Sequence, residues 1–222
     1  FANEFKIPCI GGKVSLYNET PSGPIKPTPL IGVLGLIDKK PLVSQKILSG
    51  DNLVIIGDTK DELGGSEYFE YIHKFIGGNC PTVDFKESKK NMKSVLDSIK
   101  QQIPKSVHDC SKGGLAVAVA ELCMTNQIGC KVSLNKVPGE KLTDDRILFS
   151  ESHSRYLLTI NEKNIKKLEN ILKKNKVTFQ IIGKFGSKKI QFVHGTKSII
   201  DLDVDKAQKT WFNSLKNMVL HG

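Results

Sequence analysis

The stretch from Gly113 to Thr125 constrains this chain more than any other. Leu115, Val117, Ala118, Val119, Ala120, Leu122 and Cys123 place apolar side chains nearly all round a helix predicted over about 113–125. A helix without a polar face has to be buried. Hydrophobic residues make up 39 % of the 222, which is enough for a real core and excludes a disordered or collagen-like chain.

Around that helix the periodicity predicts strands at 52–57, 105–109, 130–134, 155–160, 178–185, 189–194 and 198–202. Helices are predicted at 66–77, 86–102, 162–175 and 204–219. The core face of 86–102 is read as Met92, Val95, Leu96 and Ile99, and that of the last helix as Ala207, Trp211, Leu215 and Met218. The order of strands and helices is mixed rather than strictly βαβ, so the fold class is α+β, built in layers. Upstream, a short strand is expected after Gly11-Gly12, ending at Leu16. A proline-rich loop follows at 17–29, then a strand at 30–37, apolar on both faces and thinned by glycine. Two strands and a loop are too few to close a core, so residues 1–37 read as the tail of a larger domain, with a boundary near 38–50. Phe1 is not a methionine, and the chain reads as a piece of something longer.

The formal net charge is +10, yet nearly all the cations are lysines interleaved with Asn, Glu and Ser, as on solvated helix faces. Arginine, the residue suited to bidentate phosphate and guanine contacts, occurs only as Arg146 and Arg155, and aromatic residues do not alternate with the basic ones. Nucleic-acid binding is therefore not favoured. No apolar run reaches the roughly 18 residues of a membrane span. Five cysteines without a CxxC spacing suggest neither a disulfide framework nor a zinc site, and reduced thiols in a cytoplasmic protein are expected.

Four segments can carry chemistry. In Ile10-Gly11-Gly12-Lys13-Val14-Ser15-Leu16-Tyr17-Asn18-Glu19 the glycines let backbone amides approach an anion, Lys13 adds charge, and Asn18 and Glu19 offer oxygens to a hard cation. A tight turn is the plain alternative. Gly64-Gly65-Ser66-Glu67-Tyr68 opens a helix that Ser66 can cap, with free amides that can hold an anion. Val107-His108-Asp109-Cys110-Ser111-Lys112-Gly113-Gly114-Leu115 runs from a strand through a glycine turn, with Ser111 as the cap of the buried helix; Asp109 can hold a metal or fix the turn. Leu148-Phe149-Ser150-Glu151-Ser152-His153-Ser154-Arg155 sets short hydroxyls around a carboxylate, suited to a phosphate or to capping a helix end. Arg155 reads either as a phosphate clamp or as a surface partner of Glu151.

In this order the segments resemble the PurM-like ATP-binding superfamily. The strand–His-Asp–Gly-Gly-Leu–helix element is shared across it. GGKVSLYNET at 11–20, GGSEY at 64–68 and LFSESHSR at 148–155, with PTPLIGVLGLI at 27–37, are similar to the second half of the phosphoribosylformylglycinamidine synthase subunit II (PurL) family. The resemblance implies an α+β, PurM-like C-terminal domain (a layered α/β/α mixed sheet) at 41–222. It also implies the last strands of the AIR synthase-related N-terminal domain at 1–40. The activity implied is an ATP-dependent C–N ligase of purine biosynthesis, which converts formylglycinamide ribonucleotide with glutamine-derived ammonia. Its cofactors would be ATP and Mg²⁺, and its partners a glutaminase subunit (PurQ) and a small subunit (PurS).

Carried over residue by residue, Gly12 would touch ATP and Ser15 the formylglycinamide ribonucleotide. The family's asparagine at the metal position is Lys13 here, and an ammonium cannot ligate Mg²⁺; His153 replaces a usual glutamine. Asp109, Ser111, Gly113 and Ser152 would belong to an auxiliary nucleotide site. The catalytic residues would lie in a half not present in this chain, leaving these 222 residues inactive by themselves. The alternatives are another PurM-like enzyme, chiefly an aminoimidazole ribonucleotide synthetase, and a non-catalytic assembly domain.

Overall fold

The computed structural model of the chain describes residues 1–25, 28–37 and 43–221. The chain divides into two units, Phe1–Lys40 and Pro41–Gly222. The boundary expected at 40/41 falls in residues 38–42, outside the described ones.

In the first unit a short helix α1 (Ala2–Phe5) precedes a small hairpin. Strands β1 (Glu19–Thr20) and β2 (Gly23–Pro24) pair antiparallel, with Glu19 opposite Pro24 and Thr20 opposite Gly23. The strands expected up to Leu16 and over 30–37 are not formed. Leu30, Leu34 and Leu36 are 96 %, 88 % and 93 % exposed. A strand apolar on both faces holds its shape between pairing neighbours and covering layers. A two-residue hairpin offers neither.

The second unit is a seven-stranded sheet with helices on both faces. Its elements are β3 (Asn52–Ile56), α2 (Glu67–Tyr71), α3 (Phe85–Lys100), β4 (Ser106–Asp109), α4 (Gly114–Asn126), β5 (Gly129–Ser133), α5 (Asp144–Phe149), β6 (Tyr156–Ile160), α6 (Ile165–Lys174), β7 (Phe179–Ser187), β8 (Lys189–His194), β9 (Lys197–Asp203) and α7 (Val204–His221). The strand order is β4-β6-β3-β7-β5-β8-β9, antiparallel throughout except for the parallel β5–β8 pair. Every residue of β3 is buried. The two-residue period of a strand sends Leu53 and Ile55 into one core, with Leu115, Val119 and Leu122 of α4 and Phe185, Ile190 and Phe192 of the sheet. Val54 and Ile56 go into the other, with Val95 of α3 and Leu168 and Leu172 of α6. The layered α/β/α expectation holds, and the all-apolar helix α4 is buried for the reason its sequence gave.

Two helical faces differ from expectation. On α3 the buried residues are Ser88, Asn91, Ser94, Val95 and Ser98, while Met92 and Leu96 are 44 % and 47 % exposed. Small serines let the helix lie close to the sheet, and their hydroxyls are satisfied locally: Ser94 Oγ donates to the Lys90 carbonyl at 2.8 Å and Ser98 Oγ to the Ser94 carbonyl at 2.7 Å. On α7 Ala207 packs on the first core, but Trp211, Leu215 and Met218 are exposed. Helix α2 is also shorter than predicted. The chain turns back after it, and Gly65 N–H donates to the Gly77 carbonyl at 2.9 Å.

Candidate functional site

Strand pairing brings two of the four segments together. In the β4–β6 ladder Asp109 lies opposite Tyr156, and the Cys110 N–H donates to the Arg155 carbonyl at 3.0 Å. The turn after β4 therefore runs alongside the loop before β6. Between them is a cavity of about 360 Å³ lined by Asp109, Ser111, Lys112, Glu151, His153 and Ser154, among others.

The turn needs its glycines. Gly113 and Gly114 both have positive φ, at 76° and 64°, and a Cβ on Gly114 would sit 2.5 Å from the Ser150 carbonyl oxygen. Gly113 is the N-cap of α4 and supplies no side-chain bond. This corrects the expected Ser111 cap: Ser111 contributes only its carbonyl, which accepts the Gly114 N–H at 3.0 Å.

The segment at 64–68 joins the same cluster. Ser66 caps α2 as expected, its Oγ accepting the Phe69 N–H at 3.2 Å. The Glu67 N–H donates to Glu151 Oε1 at 3.0 Å, and the same oxygen accepts the Gly113 N–H at 2.8 Å. Lys112 Nζ pairs with Glu67 Oε1 at 2.9 Å, and that bond raises its pKa above the ordinary lysine value. Tyr68 stacks on Phe149 with centroids 4.7 Å apart. Three of the four segments thus meet around one carboxylate.

Arg155 is neither a clamp nor a surface partner of Glu151. Its side chain is buried: Nε donates to the Ser152 carbonyl at 3.1 Å, Nη1 to Thr59 Oγ1 at 3.0 Å, and Nη2 to the Ser150 carbonyl. Burial lowers its pKa below the usual guanidinium value. The group pins the loop from beneath. Ser152 is buried with it, its Oγ accepting the Lys60 N–H at 3.0 Å. Of the four residues expected at an auxiliary site, Asp109 and Ser111 are exposed at the cavity, whereas Gly113 and Ser152 bond within the protein. Cys110, beside them, is buried, and desolvation lifts its pKa to about 11; it is no thiolate nucleophile.

The first segment lies in the other unit. Lys13, Ser15, Asn18 and Glu19 line a cleft of about 680 Å³ with Pro24, Thr28 and neighbours, and Asn18 Nδ2 donates to the Ser15 carbonyl at 2.6 Å. Gly11 and Gly12 are exposed, and a Cβ on either would meet nothing within 4 Å. Among the described residues no group of three or more His, Cys, Asp or Glu is placed to hold a metal. Lys13 carries an ammonium and cannot itself ligate Mg²⁺. No described helix is long and apolar enough to cross a membrane.

Residues 49–195 match the family described as AIR synthase related protein, C-terminal domain. The chain belongs to that family. The match spans β3 to β8 of the sheet and the three segments gathered at Glu151. Over 98 % of its length the chain is 39 % identical to the phosphoribosylformylglycinamidine synthase subunit PurL of Methanocaldococcus jannaschii, covering 30 % of that protein. It thus spans under a third of this curated relative. Among solved structures, Thermotoga maritima PurL complexed with FGAR superimposes at a TM-score of 0.69 with 19 % identity, over 76 % of this chain and 29 % of that one. The same protein complexed with ATP gives 0.62, with 19 % identity over 76 % and 27 %. PurLQS from Thermotoga maritima gives 0.63, with 18 % identity over 75 % and 28 %. At these identities the structures show the shared fold.

Proposed function

We propose that this chain is the C-terminal part of an ATP-dependent ligase that converts formylglycinamide ribonucleotide (FGAR) and ammonia to the amidine. The observation that carries this reading is the similarity to the Methanocaldococcus jannaschii subunit, which covers 98 % of the chain and so extends through the glycine turn at 11–12 as well as the sheet. Residues 1–40 would close an N-terminal domain whose larger part belongs to the parent enzyme. Gly12 would lie against ATP, where the open space around it leaves a backbone amide free to approach a phosphate oxygen. Ser15 would hold FGAR from the wall of the cleft that also bears Lys13. Lys13 would neutralise a phosphate oxygen directly. A glutaminase and a small subunit would supply ammonia, as the PurLQS assembly of the Thermotoga protein suggests. The cavity at Asp109 and Ser111 would be an auxiliary site in the same enzyme.

The test is a steady-state assay with FGAR, ATP, Mg²⁺ and ammonium chloride. The 222 residues alone are expected to release no ADP. Grafted in place of the matching 30 % of the Methanocaldococcus subunit, they are expected to give FGAR-dependent ADP release. A folded graft that binds ATP but never turns over FGAR would contradict the reading.

A further inference from the structure

Glu151 sits between two backbone amide donors. Its Oε1 takes two backbone N–H bonds, from Gly113 at 2.8 Å and from Glu67 at 3.0 Å, and those amides come from separate segments of the chain. The residue is also fixed from behind. Its own N–H donates to the Glu62 carbonyl at 3.0 Å, and the next residue, Ser152, is locked to Lys60. An anionic oxygen between two amide donors is the arrangement that glycine turns otherwise give to a phosphate oxygen.

We propose that Glu151 is a built-in anion that closes this seat, so that a phosphate group entering the cavity is refused at the Gly113 and Glu67 amides while the carboxylate is in place. The charges around it agree. Glu151 and Asp109 both line the cavity, the Lys112 ammonium there is paired with Glu67, and the buried Arg155 donates to Thr59, Ser150 and Ser152. A free phosphate would meet two carboxylates and no uncommitted arginine. For the auxiliary-site reading the consequence is specific: a ligand there is held at Asp109 and Ser111, with no phosphate on the start of α4.

The test follows the Gly113 and Glu67 amide resonances of the 222-residue protein by ¹H–¹⁵N NMR while orthophosphate is added. In the parent both are expected to stay unmoved. In Glu151→Ala both should shift, with orthophosphate held about tenfold more tightly than by the parent. If Glu151→Ala fails to fold, recovery in phosphate but not in chloride of equal ionic strength supports the seat. If it folds in neither, Glu151→Gln decides. Its neutral amide oxygen is a weaker acceptor and no longer repels an anion from the two N–H groups, so phosphate should displace it and move those two resonances where it does not in the parent. Parent amides that respond to phosphate in the same range as the variants overturn the inference, and so do variants whose amides never respond. Because the readout is an amide resonance, failure of the ligase reading would leave this result untouched.

Discussion

Two glycine pairs in this chain look alike in sequence and end in opposite situations. Gly113-Gly114 is finished by its own protein: a Cβ on Gly113 would meet Val117 Cγ2 at 2.3 Å, one on Gly114 would meet a carbonyl oxygen, and the Gly113 amide is bound by Glu151. Gly11-Gly12 has nothing within 4 Å of either Cβ position. A glycine turn signals only that backbone is bare there. Whether that bareness serves packing or a ligand depends on what the rest of the chain brings to it. The pair in the AIR synthase-related domain has a strand ladder and a buried arginine delivering a loop to it, and the pair in the first unit has no comparable neighbours among the described residues.

The largest effect should come from filling the packed pair. Gly114→Ala forces a side chain into positive φ and onto the Ser150 carbonyl, and is expected to cost about 4 kcal/mol by urea denaturation. A loss below about 1 kcal/mol would mean that the turn is looser than described. Next comes the loop that completes it. Arg155→Met leaves the Thr59, Ser150 and Ser152 acceptors unpaired in the interior, with an expected loss of about 3 kcal/mol. Ser66→Ala removes the cap of α2 and should cost about 1 kcal/mol, read from the same denaturation curves. At the open pair, Gly12→Ala is expected to change the stability of the isolated chain by less than about 0.5 kcal/mol. A measured loss comparable to that at Gly114 would erase the contrast.

Thiol chemistry sharpens the same contrast between covered and open parts. Cys110 and Cys123 are held protonated by burial, with pKa values pushed to about 11 and about 12, and Cys130 is raised well above its ordinary value for the same reason. Cys9 and Cys80 are exposed. At pH 8 a thiol-titrating reagent should consume Cys9 and Cys80 quickly, and the other three only on unfolding. A third fast thiol would place a buried segment in solvent.

Much of the domain was legible in the sequence because its signals are periodic. The all-apolar run at 115–123 demanded burial, and the strand at 52–57 was bounded to within a residue. What stayed hidden depended on contacts distant in sequence. On α3 the expected face holds at Val95 and Ile99 but not at Met92 and Leu96, which outrank serine by hydropathy while the buried face is made largely of small serines. The strand at 30–37 was read from apolar content alone, and a strand also needs a partner. At the site, the hydroxyls around Glu151 read as suited to a phosphate or to capping a helix end, but nothing local says that Glu151 itself would serve two segments 38 and 84 residues away. Arg155 looked like a clamp because charge is read as exposure unless a buried set of carbonyls is already known.

One measurement addresses the central claim most directly, that the open glycine turn belongs to a substrate site. In the grafted enzyme, the dissociation constants for FGAR and ATP would be compared for Ser15→Ala and Gly12→Ala. Ser15→Ala is expected to weaken FGAR about tenfold with ATP unchanged, and Gly12→Ala to weaken ATP about tenfold with FGAR unchanged. Unaltered affinities for both ligands in both variants would contradict the account.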